Sequence, residues 1–189
     1  MRKNYIIIIL ITFMLLFTGC SNKSSNIKNY LNTGTKIDSK AKDIMPELEN
    51  LPQYENIEYK YTHKSILLFE SDSVALIVTY DDNTFESEKN KLNGEYTFLD
   101  KKIISDFDKN KYYIPEYEFS VDSYDFRVID KNGTNNTIFP KSFGIIGVSE
   151  DKKSIAYLYF HDGDLDYIGE ENEKNPMANF IHEYFEYNF

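Results

Sequence analysis

The sequence predicts an α+β fold: one antiparallel sheet of about five to six strands, helices packed on one face, in a single domain. Three observations predict it. Strand-like runs come as neighbours joined by short polar turns, as at 142–148 and 154–160 across Ser149-Glu150-Asp151-Lys152-Lys153. Residues 117–128 alternate, with Tyr117, Phe119, Val121, Tyr124, Phe126 and Val128 apolar, and slip by one place at Ser123, as a hairpin or bulge would. Helical patterns stand between blocks of strands instead of alternating with single strands, which disfavours a parallel sheet.

Taken from the N-terminus, the chain begins with Arg2 and Lys3 and then runs apolar from 5 to 17, with Ile6-Ile7-Ile8-Ile9-Leu10-Ile11 at the centre. A secretory apolar segment is ~7–15 residues and a spanning helix needs ~20, so the run fits the first. It ends in Phe17-Thr18-Gly19-Cys20, the shape of a lipobox, with Phe17 where Leu is usual. Cleavage is expected between Gly19 and Cys20, with a diacylglyceryl thioether (palmitate-type chains) on Cys20, the sole cysteine. Residues 1–19 are then a lipoprotein signal peptide, and the protein is expected on the outer face of the cytoplasmic membrane, held through Cys20. Two acyl chains satisfy the condition for stable anchoring that one does not. The rest of the chain has no thiol for a disulfide, so its stability must come from packing.

Residues 20–43 read as a flexible basic tether. Residues 21–45 hold five Lys against two Asp, whereas residues 46–189 hold fourteen Lys and Arg against twenty-nine Asp and Glu. A free coil of this length would reach about 25–30 Å. The basic stretch is drawn toward an anionic leaflet, or only solvates the linker, while the acidic body stands off. That acidity also argues against nucleic acid, whose phosphates need a basic footprint. The abundance of Ile, Asn, Lys, Tyr and Phe is what an AT-rich genome encodes, and so points to a low-GC host.

The acidic α+β domain is expected over 44–189. A helical turn or two falls between Pro46 and Pro52, and Ile57, Tyr59 and Tyr61 alternate with Glu58 and Lys60 as a strand. Two further strands, 65–70 and 74–80, are expected across a turn at Ser71-Asp72-Ser73. A helix follows, capped by Asn83 with Glu86 reaching back, presenting Phe85, Leu92 and Tyr96 and stopping at Asn93-Gly94. Lys131-Asn132-Gly133-Thr134-Asn135-Asn136 reads as a loop. Asn175-Pro176 opens a last helix, whose stripe is Met177, Phe180, Ile181, Tyr184 and Phe185.

Chemistry is sparse in the pattern. Counted from Asp162, carboxylates fall at the first, third, fifth, ninth and twelfth places of a calcium loop, so Asp162, Asp164, Asp166 and Glu173 are the candidate metal ligands. The sixth place, which needs Gly, is Tyr167, and a strand precedes the loop where a helix belongs; an acidic turn is the favoured reading. His161 beside Asp162 is the candidate for an envelope hydrolase, and His63 reads as a packed or edge histidine. No nucleophile elbow, zinc motif, P-loop or dinucleotide fingerprint is present, and no catalytic residue is assigned. Tyr112 and Tyr113, read as loop-borne and exposed, are candidate ligand-binding aromatics.

On Tyr59-Lys60-Tyr61-Thr62-His63-Lys64-Ser65 and Tyr167-Ile168-Gly169-Glu170-Glu171-Asn172-Glu173, residues 44–189 resemble uncharacterised small lipoproteins of low-GC Gram-positive bacteria. The resemblance implies an envelope location and supplies no catalytic residues. The expectation is therefore a non-enzymatic binding or interaction domain whose partner is an unknown envelope protein or small ligand. A hydrolase using carboxylates or His161 with Asp162, and a calcium-dependent surface module, are the alternatives.

Overall fold

The computed structural model describes residues 20–31, 41–66, 69–131 and 141–189. The signal segment 1–19, most of the expected tether beyond Leu31, and residues 132–136 of the expected loop lie outside the described residues. Of Cys20 the backbone alone is described.

The elements, in order, are β1 (Cys20–Ser24), a single 3-10 turn (Ile27–Asn29), a second (Leu48–Asn50), β2 (Asn56–Ile66), β3 (Phe69–Thr79), α1 (Asp82–Glu95), β4 (Ile103–Ile104), β5 (Lys111–Ile114), β6 (Glu118–Val121), β7 (Tyr124–Val128), β8 (Lys141–Ser149), β9 (Ser154–Asp162), β10 (Gly169–Glu170) and α2 (Pro176–Phe185). Seven strands form one antiparallel sheet in the order β1-β2-β3-β9-β8-β7-β6, and β10-β5-β4 form a second, three-stranded one. The α+β antiparallel class is as expected, with more strands than the sequence pattern discloses.

The two helices lie on opposite faces of the large sheet. Strand side chains alternate in direction, so β3 sends Val74, Leu76 and Val78 toward α1 and Ala75 and Ile77 toward α2. On the first face Phe85 and Leu92 of α1 join Tyr30, Ala41, Ile44 and Met45. On the second, Met177, Phe180, Ile181 and Phe185 of α2 pack with Phe143, Phe160 and the small sheet's Tyr113 and Ile114. With both faces covered, β3, β8 and β9 are buried along nearly their whole length. One face could not have held both helices, because the reverse side of these strands is equally apolar.

Three local details differ from expectation for clear reasons. The β2–β3 turn falls between Ile66 and Phe69, which pair directly, and Ser71-Asp72-Ser73 lies inside β3 opposite Thr62, His63 and Lys64. Their polar groups are satisfied there; Ser73 Oγ donates to the Tyr184 carbonyl at 2.6 Å. The α1 cap is Asp81, not Asn83, since its Oδ1 accepts from the Asn83 and Thr84 amides at 3.0 and 3.1 Å. Residues 20–24, expected in a flexible tether, are laid along β2 as an edge strand, and Tyr30 is buried against Tyr59. Backbone pairing needs no apolar pattern, so a Ser/Asn/Lys sequence can supply it.

The Asp122–Ser123 turn between β6 and β7 and the 149–153 turn between β8 and β9 fall where the pattern places them. Asn175 precedes α2 but makes no side-chain cap; the Met177 amide donates instead to Glu116 Oε2 at 3.2 Å. At the other end of α2, Lys64 donates to the Glu183 carbonyl and Lys60 to that of Glu186, so cations meet the negative end of the helix.

Candidate functional site

The register of five strands builds one polar row: Asn22, His63, Asp72, His161 and Ser142 stand opposite one another on β1, β2, β3, β9 and β8. All point to the α1 side of the sheet, in phase with Tyr59, Leu76, Tyr159 and Ile146. Asp72 is at its centre and only 3 % exposed. Its Oδ1 accepts from the Tyr61 hydroxyl at 2.7 Å and from His63 Nδ1 at 2.8 Å. In this contact Nδ1 is the donor to a carboxylate oxygen that accepts, which leaves Nε2 outside the pair. Burial and the Asp72 carboxylate together push the Tyr61 hydroxyl well above its ordinary pKa, which keeps it a donor. A buried carboxylate orienting a part-exposed imidazole is the arrangement from which proton transfer can be run.

His161 and Asp162, paired in the sequence reading, are separated by the strand that carries them. β9 holds an unbroken register through Asp162, so His161 faces Asp72 while Asp162 faces the α2 side. There Asp162 stands opposite Lys141, which is fully buried, donates Nζ to the Asp166 carbonyl at 2.9 Å and lies 4.5 Å from the Tyr113 ring centroid. Burial lowers the Lys141 pKa, while the charges of Asp166, Asp106 and Asp162 oppose the shift. Burial likewise raises that of Asp162, helped by Asp164 and Asp72 and resisted by the backbone amides of Asp164 and Leu165. The Asp164 amide donates to Asp162 Oδ1 at 2.7 Å, an ordinary Asp-turn bond.

The four calcium-loop candidates are thus dispersed in role. Asp162 closes a turn on the Asp164 amide, so Asp164 enters through its backbone; Asp166 offers its carbonyl to Lys141, and Glu173 Oε2 accepts from the Glu170 amide at 3.4 Å. Among the described residues no group of three or more His, Cys, Asp or Glu side chains is placed to hold a metal ion. Glu173 instead borders an open groove of about 690 Å³ with Asp108, Asn110, Lys111, Glu170, Glu171 and Asn172, at the edge of the small sheet.

Tyr112 and Tyr113 belong to β5, not to a loop, and so face opposite ways. Tyr113 is fully buried and meets Phe143 edge-on at 5.6 Å, which corrects the expectation that both are exposed. Its hydroxyl finds no hydrogen-bond partner among the described residues. Tyr112 is half-buried, with the Lys102 ammonium 5.4 Å from its ring centroid.

The His63–Asp72 pair escapes the sequence reading because that reading puts Asp72 in a turn. The pairing of Ile66 with Phe69 brings the two residues opposite each other, and the pattern carries a signal for it: Tyr61 and His63 share a phase, and Asp72, Val74 and Leu76 continue it on the next strand. The chain matches no protein-family model, no curated protein and no solved structure.

Proposed function

We propose that this chain is a lipid-anchored extracytoplasmic protein of the outer cell surface, acting as a non-enzymatic interaction domain on an envelope protein or small ligand. The observation that carries the reading is the junction Phe17-Thr18-Gly19-Cys20 at the end of a secretory-length apolar run. No helix among the described residues is long and apolar enough to cross a membrane. The resemblance to small lipoproteins of low-GC Gram-positive bacteria supports the same reading. Mass analysis of the protein taken from its own membranes tests it. A diacylglyceryl-modified Cys20 at the N-terminus is expected, with Cys20→Ala released from the membrane fraction. An unmodified thiol, or a retained segment 1–19, overturns the anchor. Pull-down of the lipidated form, with Cys20→Ala as control, then identifies the partner.

One observation favours an enzyme as the second reading: His63 Nδ1 held 2.8 Å from a carboxylate that is itself buried. In that case His63 is the general base and Asp72 and Tyr61 position it. Hydrolysis of chromogenic ester or glycoside substrates by the lipidated protein, abolished in His63→Ala and retained in Cys20→Ala, would establish it. Activity surviving in His63→Ala would remove His63 from any such role.

A further inference from the structure

β1 is held unlike any other strand of the large sheet. It alone has no buried side chain among those described: Ser21, Asn22 and Lys23 are exposed and Ser24 is half-buried. What holds it is the backbone ladder, from Cys20 opposite Ser65 to Ser24 opposite Tyr61, and the Lys23–Glu186 ion pair. Those two side chains remain 47 % and 26 % exposed, and ion pairs so open to solvent hold little. The chain just beyond is fixed differently. Ile27 packs against the core, and Tyr30 is buried edge-on to Tyr59, its hydroxyl donating to the Pro46 carbonyl at 2.7 Å. Residues 20–26 can therefore leave β2 with the core intact, and the ladder bonds they give up can be remade by another extended chain.

A paired β1 and a lipidated Cys20 pull against each other. Ser65 stands between Cys20 and Glu70 in the ladder, so with strands ~4.8 Å apart the Cys20 backbone lies about 10 Å from that of Glu70. The Gly163 amide donates to the Glu70 carbonyl at 3.2 Å, which brings residues 162–166 to the same end of the sheet. There the carboxylates of Glu70, Asp162, Asp164 and Asp166 outnumber the ammoniums of Lys64 and Lys141. An anionic leaflet repels such an end and attracts lysine. With β1 paired, the acidic end is held at the lipid surface with Cys20, within the ~8 Å over which charges act. Released, residues 20–26 are a coil with a reach of about 15 Å, which carries that end beyond this range and lets Lys23 turn from Glu186 to the headgroups.

Release uncovers the outer edge of β2. β1 covers only residues 61–65 of it; residues 56–60 have no strand partner on that side among the described residues even with β1 in place. An unpaired edge of eleven residues is a template on which an extended peptide adds as a further strand. β1 itself displays what fits. It sets a polar side chain, Asn22, opposite His63, and a cation, Lys23, at Glu186, where Lys64 also lies 3.4 Å from the carboxylate. We infer that β1 is an exchangeable strand: acylation of Cys20 draws it off β2, and the vacated edge docks an extended segment of an envelope protein that sets a basic residue at Glu186. The inference rests on the lipid anchor proposed above and gives the interaction reading its docking site. The form without lipid is closed, because its own β1 occupies the edge.

Hydrogen exchange read by mass spectrometry tests the release, comparing the lipidated protein on vesicles of phosphatidylcholine and phosphatidylglycerol with the Cys20→Ala protein in solution. The amides of 61–65 are expected to exchange about tenfold faster in the first, with those of 154–162 unchanged. Equal protection of 61–65, in vesicle-bound protein whose Cys20 carries lipid, overturns the inference and leaves the anchor standing. Faster exchange shared by 154–162 is a general opening and also overturns it. Disulfide trapping tests the docking, since lipidation of the sole cysteine leaves no thiol in the parent chain. Lys64→Cys, opposite Ser21 in the register, is offered the synthetic peptide Ser-Cys-Asn-Lys-Ser, which follows the β1 sequence with its thiol at the Ser21 place. Trapping is expected to be several-fold faster on the vesicle-bound protein than on the Cys20→Ala form carrying the same Lys64→Cys change. The peptide Ser-Cys-Lys-Asn-Ser has the same charge but turns its cation to the other face, and should be trapped more slowly. Equal trapping of the two peptides marks a bare thiol instead of a strand site and overturns the docking. Protein that neither floats with the vesicles nor carries a modified Cys20 overturns the anchor and the inference together.

Discussion

The two faces of the central sheet are built from different aromatics, and the difference shows what each face does. Toward α2 the large rings are mainly Phe126, Phe143, Phe160, Phe180, Phe185 and Phe189. They meet ring to ring: Phe160 lies 4.8 Å from Phe180 and 4.9 Å from Tyr184, both edge-on. Toward α1 the rings are mainly Tyr30, Tyr59, Tyr80, Tyr157 and Tyr159, with Phe85 of α1 among them. Here hydroxyls reach for backbone: Tyr30 Oη donates to the Pro46 carbonyl at 2.7 Å and Tyr96 Oη to that of Ile44 at 3.1 Å. The Phe face binds the regular helix α2, which needs outside donors only at its last carbonyls, from Ser73, Lys64 and Lys60. The Tyr face binds, besides α1, irregular chain around 44–46, whose carbonyls need outside donors. Burial pushes the Tyr59 and Tyr96 hydroxyls up to about 12, so on this face they keep their protons through any physiological pH.

The largest expected effect comes from breaking the Phe face. Phe160→Ala removes a fully buried ring at the centre of three aromatic contacts and should cost about 3–5 kcal/mol, read as a lowered urea midpoint at unchanged slope. Next comes overpacking of the same face. A Cβ on Gly147 would sit 2.3 Å from Phe126 Cε1, so Gly147→Ala should cost about 1–3 kcal/mol. If it costs nothing, the Phe face is looser than its ring distances say. The Tyr face should respond more weakly to deletion of a hydroxyl: Tyr30→Phe keeps the ring and orphans the Pro46 carbonyl, for a loss of about 1 kcal/mol. A null result there would mean that shape, not hydrogen bonding, seats the 44–46 segment.

The smallest effect is one of pH, at the rim of the Phe face. Burial raises the Asp162 pKa above its ordinary 3.8, so the ionised carboxyl is disfavoured in the folded chain. The folded state is therefore favoured by this group below pH 3.8, and that contribution is lost as pH rises through the elevated value. Asp162→Asn should melt above the parent at pH 7, and the gap should close on acidification toward 3.8. A gap that widens in acid would reverse the assignment.

The β8–β9 and β6–β7 pairs are legible because each turn interrupts a strong two-residue period with polar residues. The β2–β3 turn is misplaced because Ser71-Asp72-Ser73 has turn chemistry by sequence, whereas burial of these three residues inside β3 overrides it. That one slip hides the Tyr61–His63–Asp72 cluster, since the register decides which residues share a face. β4 and β10 are two residues each and β5 is four, too short for any period to show. β1 is hidden for another reason: Ser21, Asn22 and Lys23 are polar and exposed, and backbone pairing recruits them.

The neighbour relation between β3 and β9 has a consequence for how the chain assembles. Each belongs to a hairpin that can close locally, β2–β3 and β8–β9, yet Thr79 must find Ser154 before either apolar hairpin is covered. A chain emerging from its N-terminus therefore presents β2–β3 long before its partner arrives, with an unpaired strand edge and two apolar faces. Closing so long a loop is slow compared with hairpin formation. The interval between the two hairpins is where this protein is most open to aggregation, and where a waiting chaperone would find the most to hold.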